Sequence, residues 1–276
     1  MTNRTRILAA TIALVALAMP AMAASDIVPA AAGNKWTYDC YKSLIGAIMY
    51  QGRVMTSLND ISFGSSVYEV ISLDEKANPP TFEYRESINT TSSTGGMGSQ
   101  SVIDIKFANT QRGQEIVSTR RSSPTSDDSE LQEYDPALLY YLRDVAPGKQ
   151  WAVGTMKDTD TEVPMNAKAV GKETVTVPAG TFKDCLKLVY FSDIITGSTE
   201  IWGKVFKMTS GRTRGVYWIA DGVGIVKELE IAESMAETVG PDGKTPIRIE
   251  SASCDVRELK PGFVVKSERL KPAAAD

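Results

Sequence analysis

The sequence predicts a mainly β protein: a curved antiparallel sheet, or incomplete β-barrel, with one short helix and long loops. Runs of β-favouring residues recur along the chain, and clusters of turn-forming residues separate them. Segment 101–107 shows the pattern clearly, because Ile103, Ile105 and Phe107 occupy alternate positions. Such alternation is typical of a strand with one buried face.

The same kinds of sequence pattern predict the other strands, turns and loops. The polar stretches 90–101 and 122–129 are expected to be loops, because they are rich in serine, threonine, glycine and aspartate. The sharpest turn signals are 78–80 (Asn-Pro-Pro), 178–180 (Pro-Ala-Gly) and 241–244 (Pro-Asp-Gly-Lys). Further strands are expected at 36–41, 67–73, 82–85, 173–177, 185–191, 200–208, 215–219, 224–231 and 247–256.

One helix is expected near 135–143. Asp135 supplies an N-cap carboxylate and Pro136 suits the first helical position. After it, Gly148-Lys-Gln-Trp151 repeats the spacing of Gly33-Asn-Lys-Trp36. The repeat indicates two related halves, about 30–130 and 145–260, joined by the helical segment.

The first residues form a predicted signal peptide, 1–23. Arg4 and Arg6 precede an apolar run of about eleven residues, within the roughly 7–15 of a signal sequence and below the roughly 20 that span a bilayer. Cleavage is expected near Ala23, because 21–23 reads Ala-Met-Ala. We therefore expect a periplasmic protein with one β-rich domain, 24–276, and no transmembrane segment in the mature chain.

Charge argues against nucleic acid as a partner. The full chain has a formal net charge of −4, and cleavage would remove two arginines and no acidic residue. An acidic surface repels phosphate backbones, and no basic cluster with interleaved aromatic residues offsets it.

The chain contains no histidine, which excludes Ser-His-Asp triads, Cys-His dyads and histidine zinc sites. No phosphate-binding loop or dinucleotide fingerprint occurs either. We therefore expect no cofactor, no metal site and no enzyme activity. A hydrolase using two carboxylates stays open, but its most clustered candidates, Asp127, Asp128, Glu130 and Glu133, are better explained as a solvated polar loop.

Three cysteines are present: Cys40, Cys185 and Cys254. An oxidising compartment would allow two of them to pair. Cys40 and Cys254 have polar strand neighbours, whereas Cys185 has apolar ones, so a Cys40–Cys254 disulfide with Cys185 free is expected. The alternative, three reduced thiols, stays open.

Two segments resemble a family signature of exported bacterial proteins. Segment 175–189 reads VTVPAGTFKDCLKLV, and 216–227 reads VYWIADGVGIVK. Together with the two Gly-x-x-Trp openings they resemble the uncharacterised DUF3108 and TapB-like proteins. The resemblance implies a fold similar to the half-open barrels of periplasmic lipoprotein carriers, in which a curved sheet surrounds an apolar cleft. It implies no activity and no catalytic residues.

Four tryptophans fall near predicted strands and are the candidate cleft-lining residues: Trp36, Trp151, Trp202 and Trp218. The leading hypothesis is a non-enzymatic binding protein for a hydrophobic or amphipathic small molecule, a lipid or a lipidated partner. The alternatives are a structural or adaptor protein that contacts an envelope protein, and the carboxylate hydrolase.

Overall fold

A computed structural model of the protein describes residues 27–94, 99–123, 126–158, 160–201 and 203–266. Thirteen antiparallel strands form one sheet, which confirms the predicted mainly β fold. The strands are β1 (Lys35–Tyr50), β2 (Arg53–Asp74), β3 (Thr81–Ser92), β4 (Ser99–Asn109), β5 (Gly113–Ser123), β6 (Ser126–Leu142), β7 (Gln150–Asp158), β8 (Thr161–Val177), β9 (Gly180–Ser192), β10 (Thr196–Ile201), β11 (Lys204–Ala220), β12 (Gly224–Val239) and β13 (Pro246–Leu259).

The sheet consists of two consecutive meanders. Strands β1 to β6 pair in chain order, and β7, β8, β9, β11, β12 and β13 pair in the same way. The short β10 pairs with β8 and β11. Pairing of β13 with β1 joins the two meanders into one sheet whose outermost strands include β6 and β7.

Alternation along the strands gives the sheet an inner face that holds the core. In β1, Trp36, Tyr38 and Cys40 are buried, whereas Lys35 and Asp39 are exposed. Residues directly opposite on neighbouring strands share a face, so this alternation assigns the inner positions of the paired strands between the β-bulges. The most deeply buried inner side chains include Phe82, Leu188, Tyr190, Val226 and Leu259.

The segment before β1 closes one end of the curved sheet. Ile27, Val28 and Ala30 are buried in the core cluster. The backbone of Val28 exchanges two hydrogen bonds with the Gln114 amide, at 3.1 and 2.8 Å. Buried polar groups need such partners, and here the pairing attaches the segment to β5.

The outer strands β6 and β7 approach each other without forming a ladder. The Trp151 indole N–H donates to the carbonyl oxygen of Leu139 at 3.0 Å. Gly154 lies so close to Leu138 that an added Cβ would be 2.6 Å from its side chain. Across the described residues the sheet therefore curls toward closure but does not become a barrel, as the sequence predicted.

The prediction of a helix near 135–143 is wrong. These residues lie at the end of β6, whose Leu138 and Leu139 pair with Ile116 and Glu115 of β5. Proline is tolerated in an outer strand or at a β-bulge. Pro136 meets both conditions, because β6 is an outer strand and Pro136 lies at the bulge where β6 pairs with Ile116 and Ser118 of β5. Strand pairing and burial outweigh the local N-cap signal.

The expected loops are shorter than predicted. Strands β3 and β4 extend into 90–101, and β5 and β6 extend into 122–129, so both polar segments belong to hairpins. The expected strand 200–208 is instead divided between β10 and β11.

The two Gly-x-x-Trp segments have matching backbone geometry. Gly33 and Gly148 have φ values of +83° and +89°, the left-handed region that favours glycine. The Gly33 N–H donates to the carbonyl of Val70, and the Gly148 N–H donates to that of Ala169, at 2.9 and 2.7 Å. Each segment therefore begins its meander with the same turn. The division into two related halves stays a prediction.

Candidate functional site

A cavity of about 640 Å³ lies on the inner face, within the curve of the sheet. This volume is within the roughly 300–1,000 Å³ range typical of ligand pockets. The walls come from both meanders, because the inner faces of β2 to β6, of β7 to β9 and of β11 to β13 converge here.

One part of the wall is apolar. Ile103, Ile105 and Ile116 come from the first meander, and Val163 and Met165 from the second. Ile103 and Ile105 lie on the inner face of β4 because Glu86 and Tyr84 are their cross-strand partners. The predicted alternation of 101–107 thus places its apolar residues on the cavity side.

A tyrosine cluster forms the deeper wall. Tyr140 stacks on Tyr190 with ring centroids 4.7 Å apart, and the Tyr190 hydroxyl donates to the Tyr140 carbonyl at 2.7 Å. The Tyr217 hydroxyl donates to a Glu230 carboxylate oxygen at 2.5 Å. Burial raises the pKa of Tyr140, Tyr190 and Tyr217, so these phenols stay protonated. The cluster comprises Tyr68, Tyr84, Tyr140, Tyr141, Tyr190 and Tyr217.

A buried arginine cluster adjoins the tyrosines. The Arg257 guanidinium lies 2.5 Å from Glu228, 2.9 Å from Asp255 and 3.1 Å from Glu86, and it donates to the Tyr68 hydroxyl at 2.5 Å. The side chains of Arg257, Glu228 and Glu86 are exposed by only 7, 3 and 10%. Register brings them together, because Glu228 faces Arg257 on β12 and β13, and Tyr68 faces Glu86 on β2 and β3.

Burial sets the electrostatics of this cluster. Desolvation raises the pKa of Glu228 well above its usual value, and the Arg257 charge opposes that shift. Desolvation likewise raises the pKa of Glu86. Lys42 adds a second cation by contacting Asp255 at 2.9 Å. The cavity therefore combines an apolar wall with polar groups that are already paired within the protein.

The described tryptophans do not line this cavity. Trp36 and Trp151 are buried in the core and donate to backbone carbonyls of Val223 and Leu139. Trp218 lies on the outer face, where Lys187 and Lys227 contact its ring and its indole N–H donates to Glu173. Trp202 lies outside the described residues. A role for any of them in ligand binding stays a prediction.

The expected Cys40–Cys254 disulfide is not formed, and both residues are free thiols. Cys40 pairs with Arg257 across the β1–β13 ladder, whereas Cys254 pairs with Ser43. Position 254 is an odd number of residues from 257, so the two cysteines point to opposite faces of the sheet. No rotamer can bridge the sheet in this register. Cys185 is buried and also free, as predicted.

Of the four acidic residues that are candidates for a carboxylate hydrolase, only Glu130 and Glu133 have described side chains, and the hydrolase stays a prediction. Glu130 lines the cavity from β6, and Glu133 is exposed on the same strand. The side chains of Asp127 and Asp128 lie outside the described residues. Among the described residues, no cluster of three or more carboxylate or thiol groups could hold a metal ion.

The arginine cluster was missed from the sequence, although a signal for it exists. Strand β12 places Glu228 and Glu230 on the same side as Val226, which is fully buried. A carboxylate at a core position needs a partner, and β13 offers Arg257 at an inner position. The register that pairs Glu228 with Arg257 depends on how β12 and β13 associate. The sequence alone therefore indicates that the carboxylate needs a partner, but not which residue it is.

A known protein family covers the part of the chain that forms most of this cavity. The model of a family described as a protein of unknown function, DUF3108, matches residues 87–234, more than half of the chain. The chain belongs to the DUF3108 family. Both signature segments, 175–189 and 216–227, lie inside the match, which confirms the predicted resemblance. The second Gly-x-x-Trp opening, Gly148–Trp151, also lies inside the match, whereas the first, Gly33–Trp36, lies before it.

Two solved structures are similar to this DUF3108 chain. One is a protein of Bacteroides fragilis NCTC 9343 described as exported and as having a YmcC-like fold, with 17% identity and a TM-score of 0.33, covering 86% of this chain and 98% of that one. The other is a protein of Parabacteroides distasonis ATCC 8503 described as a lipoprotein, with 17% identity and a TM-score of 0.33, covering 86% and 99%. No curated protein matches the sequence. None of the described residues forms a helix with the length and hydropathy needed to cross a membrane.

Proposed function

We propose that this DUF3108 protein is a non-enzymatic binding protein of the periplasm that holds a hydrophobic or amphipathic ligand. The ligand is a lipid-like small molecule or the lipid of a lipidated partner. The inner cavity of about 640 Å³ carries the proposal, because core side chains leave that volume unfilled. The predicted signal peptide, with cleavage near Ala23, supports the location.

The composition of the wall supports an amphipathic ligand. Isoleucine, valine and methionine side chains suit an acyl chain, which gains about 0.8 kcal/mol for each buried CH₂. The tyrosine hydroxyls and the carboxylates of Glu86, Glu228 and Glu230 border the same volume. A ligand with an apolar tail and a polar group would match both parts.

The carboxylates of the cavity have structural partners, which argues against the hydrolase. Glu86 and Glu228 both bind Arg257, and Glu230 accepts from Tyr217. A general acid and base pair would have to give up these contacts during catalysis.

The test is native mass spectrometry of the protein purified from a periplasmic extract, followed by organic extraction of any bound molecule. We expect a lipid-like species to accompany the folded protein. Ala232→Trp should reduce the bound fraction, because Ala232 lines the cavity and the indole would fill it. Ala252→Trp is the matched control, since Ala252 faces Glu233 on the outer side of the same β12–β13 ladder.

Three results would count against this proposal. The first is protein that carries no bound molecule and takes up no fluorescent fatty acid. The second is an equal loss of binding in both tryptophan variants. The third is capture of an envelope protein by ligand-free protein, which would favour the adaptor hypothesis instead.

A further inference from the structure

Exposed apolar side chains concentrate where several strands run outward from the wall of the cavity. We call this region the hairpin extension, comprising residues 44–63, 204–214 and 231–254. Val54, Met55 and Val239 are 61, 64 and 65% exposed. Large exposed apolar patches mark protein or membrane contact sites.

Three turns lie side by side at the tip of this extension. They are the turn between β1 and β2, the turn at Gly203 that precedes β11, and the turn between β12 and β13, and their strands are neighbours in the sheet. At about 4.8 Å between strands, β2 to β11 span roughly 20 Å. The tip is therefore a broad edge and not a single loop.

An exposed cation lies in or directly after each of the three turns: Lys244 lies in the last turn, and Arg53 and Lys204 are the first residues of β2 and β11. None of them forms an ion pair with another described residue. The neighbouring Asp242 is occupied within its own turn, because it accepts from the backbone N–H groups of Lys244 and Thr245 at 2.9 and 2.8 Å. Asp242 keeps its negative charge, but the three cations outnumber it, so this edge offers positive charge on a chain whose formal net charge is −4.

Both faces of the hairpin extension are apolar. Leu44 and Leu58 lie on the inner face and are 39 and 50% exposed, whereas Ile45 and Phe63 lie on the outer face and are 57 and 53% exposed. A lipid headgroup layer surrounds an inserted edge from both sides, so it satisfies both faces together.

The inner face also connects the tip with the cavity. Met208, Ser251 and Ser253 border the cavity. Farther along the same ladders, Ile48 faces Ile249 and Tyr50 faces Ile247 on the same side. Apolar side chains thus continue from the cavity mouth to the turns.

We propose that the hairpin extension binds the surface of an anionic lipid membrane, with the three turn cations at the headgroups and the apolar side chains below them. Aromatic and apolar residues beside basic ones are typical of interfacial anchors, and Tyr50 provides the aromatic ring at the tip. Surface exposure and charge carry this inference, which does not require that the cavity holds a ligand.

The test is co-sedimentation of the full mature protein with vesicles of phosphatidylglycerol and phosphatidylcholine, compared with phosphatidylcholine alone. We expect binding to the anionic vesicles that weakens with added salt. The triple variant Arg53→Ser/Lys204→Ser/Lys244→Ser should bind about a hundredfold more weakly, because each cation near an anionic surface contributes to affinity. The control Lys149→Ser/Lys172→Ser/Lys183→Ser removes equal charge from exposed positions elsewhere.

A second pair of variants tests the apolar contribution. Val54→Glu/Met55→Glu should reduce vesicle binding about tenfold or more, whereas Val170→Glu, at a 50% exposed position of β8, should not. Circular dichroism checks that each variant is folded. The proposal is overturned if wild-type protein does not bind anionic vesicles, if both charge variants lose binding equally, or if the extension instead mediates self-association in sedimentation without vesicle binding.

Discussion

Arg257 is the residue on which the buried polar interior depends. Its guanidinium contacts Glu228, Glu86 and the Tyr68 hydroxyl, all in nearly complete burial. A buried ion pair is a weak source of net stability, but removing one partner leaves an uncompensated charge.

Arg257→Met should therefore lower the free energy of unfolding by about 3–5 kcal/mol in urea titrations. Arg85→Met is the control, because Arg85 pairs with Asp104 but is 44% exposed. Loss of such a surface pair should change the free energy of unfolding by about 0–1 kcal/mol. Equal effects for the two variants would contradict the assigned role of Arg257.

Glu228 gives the stability an unusual pH dependence. Burial raises the folded-state pKa of Glu228 well above 4.5, its ordinary value. The folded state therefore holds this proton more tightly than the unfolded chain does. The resulting stabilisation is complete below that ordinary value and is lost as the pH rises through the folded-state pKa.

Glu228→Gln removes this contribution. We expect the wild type to exceed the variant in free energy of unfolding by the largest amount in mild acid. This excess should decline as the pH rises. Urea titrations across the pH range measure it. Glu258→Gln, which removes an outer-face pair with Lys227 at 2.6 Å, controls for simple loss of an ion pair. A difference that grows with pH would contradict the prediction.

The cysteines should remain thiols even in an oxidising compartment. Burial raises the pKa of Cys40 to about 11, so its reactive thiolate is scarce at neutral pH. Denaturation and alkylation without reductant should add three labels, one for each of Cys40, Cys185 and Cys254. Intact mass measurement counts them, and a single label would support the disulfide expected from sequence.

At the scale of single residues, the sequence predicts core positions better than site positions. Trp36 and Trp151 were placed correctly in strands, but large aromatic side chains fill a core as readily as they line a cleft. Tyr140 and Tyr217 border the cavity because strands from different meanders converge there. Such convergence leaves no local pattern in the sequence.

At the scale of elements, close approach of backbones requires glycine at one point of β2. Gly64 lies opposite Cys40, and a Cβ there would overlap the backbone carbonyl of Asn89 on β3. Glycine at such positions allows long strands to bend. β2 has 22 residues, so the bend helps it to follow the curve of the sheet.

Gly64→Ala should lower the free energy of unfolding by about 1–3 kcal/mol, because β2 and β3 would have to separate. Gly171→Ala is the matched control, since Gly171 also lies in a strand but a Cβ added there would meet no neighbouring atom within 4 Å. Thermal or urea unfolding measures both. Equal stability of the two variants would show that β3 shifts without cost.

The helix expected at 135–143 shows where local signals fail. Asp135 and Pro136 resemble a helix start, yet strand β5 offers a pairing edge to the residues that follow. The strands themselves were predictable from alternation, as in 101–107, because that pattern depends on one buried face. The order of strands in the sheet depends on pairings between residues far apart in sequence.

At the scale of the whole molecule, the approach of β6 to β7 gives the sheet its shape. The Trp151 indole donates from β7 to β6, and Tyr190 adds a second hydrogen bond to β6 from within the curve. These contacts fix how far the two meanders curl around the cavity.

Trp151→Phe should lower the free energy of unfolding by about 0.5–1.5 kcal/mol, because the Leu139 carbonyl loses its donor. Hydrogen exchange should become faster in β6 residues 138–142 than elsewhere. Trp218→Phe is the control, since its indole donates to Glu173 on the outer face. Uniform exchange changes across the sheet would contradict a local role.

The pairing of β1 with β13 also has a consequence for the timing of folding. Tyr38 meets Leu259 in that ladder, so the first strand to be synthesised must wait for the last. Contacts of such long sequence separation slow folding. Until β13 has been made, β1 keeps an open edge, and a chain interrupted before β13 would present that edge to neighbouring chains as a site of aggregation.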